Sequence, residues 1–128
     1  MASVTGFGGF FFRARDPKAL AAWYETHLGI LQVPNDYDTP PWQQDAGPTV
    51  FAPFSQDTGY FGDPEKMFMF NFRVDDLDAV MTELRAAGIE VSEYDESPLP
   101  NGRFAKLNDP EGNPIELWEP VQSAVQKT

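Results

Sequence analysis

Residues 11–30 read "FFRARDPKALAAWYETHLGI" and residues 71–89 read "NFRVDDLDAVMTELRAAGI". Laid over each other at an offset of 60, they match Phe12 with Phe72, Arg13 with Arg73, Asp16 with Asp76 and Ala19 with Ala79. One residue is lost later, so that Gly29 and Ile30 meet Gly88 and Ile89. A repeat at this period means that one supersecondary unit has been used twice.

Each copy has a local physical reading. Phe10, Phe12 and Ala14 share one face of a strand, as do Phe68, Phe70, Phe72 and Val74. Asp16 followed by Pro17 has the form of an N-cap and first helical residue, and Asp76 before Leu77 is its counterpart. Leu20, Trp23, Tyr24 and Leu28 follow helical spacing, and so do Leu77, Val80, Met81 and Leu84. Gly29 and Gly88 stand where a helix ends on a left-handed residue, after which "ILQV" and "IEVSEY" resume extended structure. Each helix is expected to cover the Phe-rich face of its own strand.

Further strand-like runs follow each unit: "TVFAPF" (49–54) after the "DTPPWQQDAGP" loop, then "GRFAKLN" (102–108) and "PIELWE" (114–119) around the turn "DPEGN". The expectation is an α+β single domain of two βαβββ modules. Module one runs over about 7–54, a linker over 55–66, module two over about 67–120 and a frayed tail over 121–128. The sheet face away from the helices would carry Gly9, Phe11, Val50, Ala52, Met69, Asn71, Glu116 and Trp118.

Composition narrows the function. The chain has 128 residues with 11 Phe, 4 Tyr and 3 Trp, enough apolar material for a real core. Zero cysteines remove disulfides, thiolate metal sites and Cys nucleophiles, which suits a reducing compartment, and the cytoplasm is the expected location. The formal net charge is -11. Both halves are acidic, 7 acids against 3 bases over residues 1–64 and 13 against 6 over 65–128. Such a surface repels phosphate backbones and anionic membranes, so no nucleic-acid or membrane partner is expected. "GFGGFFF" at 6–12 lacks the spacing and following helix of a dinucleotide loop, and no Walker loop, HExxH or GxSxG occurs.

The paired modules, and above all "NDPEGNPIELWEP" (108–120), resemble the vicinal oxygen chelate superfamily over about residues 7–120. That superfamily holds glyoxalase I, extradiol dioxygenases, fosfomycin-resistance transferases and bleomycin-resistance proteins. The resemblance implies a U-shaped mixed sheet around a cleft, usually in a homodimer. It also implies metal-ligand positions, which fall here on Gly9, Val50, Met69 and Glu116. Of these only Glu116 carries a ligating side chain, so no metal or other cofactor is expected. An atypical oxygen set from Glu116 with Gln43, Gln44 or Asn71 is the remaining route to a divalent ion. The single histidine, His27, belongs to a helix end and away from these positions.

Two readings follow. In the first the chain is a metal-free small-molecule-binding protein of the bleomycin-resistance type, whose acidic, aromatic cleft takes a cationic or aromatic molecule. Phe11, Trp42, Val50, Met69, Asn71, Glu116 and Trp118 are its ligand-binding candidates. In the second it is a glyoxalase-like lyase, isomerase or dioxygenase with Glu116 as metal ligand or general base. Whether the chain is an enzyme stays open between them. Arg13 and Arg73 are expected in surface ion pairs, Lys106 in solvent, and Phe54, Tyr60 and Phe61 lining or plugging the cleft.

Overall fold

The computed structural model describes residues 2–121. Along the chain come α1 (Pro17–Leu28), β1 (Phe70–Arg73), α2 (Leu77–Ala86), β2 (Ser92–Glu93), β3 (Gly102–Asn108) and β4 (Pro114–Pro120). The expected tail sequence "SAVQKT" lies outside the described residues. No helix among those residues is long and apolar enough to cross a membrane.

Both helices begin and end as their sequences dictate. The Asp16 carboxylate accepts from the Ala19 amide at 3.1 Å and the Asp76 carboxylate from the Ala79 amide at 3.0 Å. Each bond satisfies an amide that has no partner within its helix. Gly29, at φ 70°, turns the chain out of α1, and Gly88, at φ 80°, does so after α2.

The four strands form one mixed sheet in the order β1-β4-β3-β2. β1 runs parallel to β4, with Asn71 opposite Glu116 and Arg73 opposite Trp118. β3 and β4 are an antiparallel hairpin in which Phe104 faces Trp118 and Lys106 faces Glu116. Alternation then sorts the side chains. Ala105, Leu107, Ile115 and Leu117 point to one face, where they form a single core with Leu20 and Tyr24 of α1 and Leu77, Met81 and Leu84 of α2. Burying each large apolar side chain contributes about 1.5–3 kcal/mol. Asn71, Arg73, Phe104, Lys106, Glu116 and Trp118 belong to the other face.

The second copy of the repeat is therefore a complete βαβββ unit, β1-α2-β2-β3-β4. In the first copy only the helix forms. Residues 10–14, 30–33 and 49–54, expected as strands, are not strands, so the structure supports an α+β fold with a four-stranded sheet and two helices. A strand needs a neighbour's amides and carbonyls, and these segments pair with none. Their side chains still find partners. Phe10 and Phe12 stack edge-on against Phe68 and Phe70, with centroids 5.1–5.8 Å apart. Helix α1 likewise packs on the other copy's strand, its Tyr24 ring 6.0 Å from Phe70 and 6.2 Å from Phe72.

The turn "DPEGN" fastens α1 to the sheet. The buried Asp109 carboxylate accepts from the Tyr24 hydroxyl at 2.6 Å, the Glu111 and Asn113 amides at 2.8 and 3.0 Å, and the Asn113 side chain at 2.7 Å. Burial and the Asp109 carboxylate together raise the Tyr24 hydroxyl far above the ordinary tyrosine range. Glu111 then reaches back to accept from the amides of Arg15 and Asp16 at 2.7 and 3.0 Å, which holds its own carboxyl below the usual range.

Candidate functional site

Glu116 is the third residue of β4, on the sheet face away from the helices, and it is 8% exposed. A buried carboxylate needs donors. Asn71, its neighbour across the parallel pair, donates from Nδ2 to Oε1 at 2.6 Å. Tyr94, just beyond β2, donates its hydroxyl to Oε2 at 2.8 Å, and Tyr60 from the linker donates to the same oxygen. The two phenol oxygens lie 3.3 Å apart.

These donors are neutral and stay so. Burial first, then the hydrogen bond to Glu116, pushes Tyr60 up to about 12. Burial, followed by Tyr60 and Glu116, raises Tyr94 further still. Lys106 stands opposite Glu116 in the hairpin yet makes no ion pair with it. Its ammonium lies beside Gly62. The Glu116 side chain is thus held by one amide and two phenols.

The tyrosines belong to an aromatic row. Trp118 stacks on Phe104 at 6.0 Å and 3°, Phe104 on Tyr94 at 6.3 Å and 19°, and Tyr60 on Phe54 at 5.6 Å and 24°. Trp118 is fixed further by its indole N–H, which donates to the Asn101 carbonyl at 2.9 Å. The row walls off the Glu116 side of the sheet.

On the other side of Trp118 an open cleft of about 850 Å³ runs between the end of α1, the loop around residues 42–50 and the β1–β4 pair. Trp42, Val50, Asn71 and Trp118, four of the candidates, line it. Asn71 connects the cleft to Glu116, since it touches both.

Phe11 is 94% exposed and Met69 half-buried, and neither lines the cleft; residues 10–14, expected as a strand, form none. His27 keeps its place at the end of α1, but its side chain packs on Trp23 at 5.4 Å and lines the cleft. Arg73 is not in an ion pair. Its Nη2 donates to the backbone carbonyl of Asp45 at 3.0 Å. The Tyr94 contribution escaped the sequence reading altogether, although its alternation from Val91 puts it on the Glu116 face.

The chain matches the glyoxalase-like domain family over residues 9–118. It belongs to that family. Among solved structures, TnmS3, an antibiotic binding protein from Streptomyces sp. CB03234, is 21% identical. It covers 94% of this chain and 100% of its own, with a TM-score of 0.59, a likeness of fold. A glyoxalase/bleomycin resistance protein from the same organism is 34% identical over 43% of this chain, with a TM-score of 0.36. The glyoxalase-like chain spans 47% of that relative's length. No curated protein matches it.

The metal chemistry known in parts of the wider superfamily does not fit this donor set. The four matched positions hold Gly9, Val50, Met69 and Glu116, and both carboxylate oxygens of Glu116 already accept from Asn71, Tyr60 and Tyr94. No group of three His, Asp or Glu side chains gathers among the described residues of this glyoxalase-like chain. No reaction step is therefore derived through a metal.

Proposed function

We propose that this glyoxalase-like chain is a metal-free small-molecule-binding protein whose acidic, aromatic cleft takes up a small aromatic molecule. The observation that carries this reading is the state of Glu116. The one acid at a ligand position accepts from three neutral donors, while an open cleft bounded by two tryptophans lies beside it. In that arrangement it acts as a fixed anchor for Asn71, which lines the cleft. For Glu116 to serve as a general base, as the lyase or dioxygenase alternative allows, a substrate proton would have to reach a side chain that is 8% exposed and already accepts three hydrogen bonds.

The same reading extends to assembly. The first module completes its strands, and the U-shaped sheet of two βαβββ modules closes, in a homodimer. Phe11 and Phe51, 94% and 80% exposed, are the side chains that gain most from a second copy. Sedimentation of the wild type should give a dimer that Phe11→Glu weakens.

The function is tested by metal titration and thermal shift in parallel. Ni, Zn, Mn and Fe(II) should each fail to bind stoichiometrically to wild type or Glu116→Gln. Flat aromatic compounds should raise the melting temperature, since a ligand at a hundredfold its Kd stabilises by about 2.7 kcal/mol. One tightly bound metal per chain, lost in Glu116→Gln, would overturn the reading.

A further inference from the structure

Arg73 lies in the cleft and forms no ion pair there. It is half-buried, and it is the only Lys or Arg among the residues that line the cleft. Its bond to Asp45 goes to the backbone carbonyl and not to the carboxylate, and the ion pairs among the described residues belong to Arg103. The other guanidinium N–H groups have no protein partner among those residues, and none is sealed from solvent.

The guanidinium is nevertheless held in place. It lies over Gly47, where an added Cβ would come within 1.8 Å of Nη1, and the Asp45 carbonyl fixes one edge of its fork. A glycine at 47 is what lets the loop pass this close to Nη1. Trp118 is its register partner on β4, and Trp42 and the amides of Gln43 and Gln44 line the same space.

We propose that Arg73 is the specificity-determining residue of the cleft and that the ligand carries a carboxylate or similarly planar oxyanion on an aromatic ring. A pre-placed guanidinium fork matches a planar oxyanion through two parallel hydrogen bonds, and the tryptophans take the ring. The charge balance of the chain makes this selective. With a net charge of -11 and Glu25, Asp45, Asp75, Glu83 and Glu119 lining the cleft, an anion is repelled everywhere except where it can reach the guanidinium of Arg73 directly. An aromatic acid is therefore recognised by contact and not by the long-range field. The inference rests on the small-molecule reading above.

The test uses three probes on the intact chain, followed by tryptophan fluorescence: 2-naphthoate, its neutral isostere 2-naphthamide, and 2-naphthylmethylamine. Naphthoate should bind at least tenfold more tightly than the amide. Arg73→Met should remove that preference while leaving amide binding in place. Gly47→Ala, which displaces the guanidinium without deleting it, should reduce the preference several-fold. If naphthoate and naphthamide bind equally to wild type, or if naphthoate is indifferent to both substitutions, the Arg73 assignment is overturned and the cleft reading survives. Tighter binding of the amine overturns it too, in favour of a cationic ligand. If none of the three perturbs the tryptophans, both readings fall together.

Discussion

Residues 70–120 and residues 2–69 start from near-copies of one pattern and finish in different states. The second copy forms all four strands and supplies Ile115 and Leu117, which have no exposure at all. The first forms a helix, buries Leu20 and Tyr24 from it, and leaves Phe7, Phe11 and Phe51 largely in solvent. "FFRA" and "NFRV" each mix strand-favouring with strand-disfavouring residues, so propensity alone did not decide the outcome. Neighbours did. β1 finds β4 alongside it in parallel register, while residues 10–14 pair with no strand and pack through the rings of Phe10 and Phe12 and through Ala14.

The contrast is broken most directly in the core. Leu117→Ala should cost about 2–5 kcal/mol of unfolding free energy, while Phe11→Ala should stay within about 0.5 kcal/mol. Urea melts of both variants at one low protein concentration make the comparison, and equal losses would mean that Phe11 is as deeply packed as Leu117. The link between the halves comes next. Tyr24→Phe deletes one donor to the buried Asp109 and should cost about 1–3 kcal/mol, with α1 loosening ahead of the sheet in hydrogen exchange. Simultaneous loss of protection in both would place α1 inside the same cooperative unit.

Alkaline pH sharpens the contrast from the site side. Tyr60, raised to about 12 in the folded chain, keeps its proton where the unfolded chain has lost it. Its contribution is therefore fully present below about pH 10 and disappears as pH rises through about 12. The urea midpoint should fall across that window, and Tyr60→Phe should flatten the fall. A slope unchanged in Tyr60→Phe would detach the linker from Glu116. The smallest effect belongs to Arg103, whose hydrogen bonds hold Glu93 at about 2. That contribution is present above about pH 4.5 and fades as pH falls towards 2. Because the pair is only partly buried and still reached by solvent, Arg103→Ala should cost about 1 kcal/mol at neutral pH and reduce the acid slope.

Much of this was legible in the residues alone. Asp16 and Asp76 cap their helices, Gly29 and Gly88 end them, and alternation along β4 correctly sets Glu116 and Trp118 together on the face opposite the core. Periodicity encodes which way a side chain points within its own segment. It does not encode which distant segment will lie alongside, and this is why the first module's strands were expected and why Tyr94 was missed. Arg73 shows the same limit in another form. Its partner is a main-chain carbonyl 28 positions away, and a carbonyl leaves no mark in a sequence.

The Glu111 carboxylate that caps the start of α1 lies 96 positions downstream of Arg15. During translation at about 5–20 residues per second, the helix and its flanking phenylalanines leave the ribosome roughly 5–20 s before their anchor exists. The first half of this chain must wait, aromatic and unsheltered, for the second to be made. A chain released before residue 111 lacks the carboxylate that caps the start of α1.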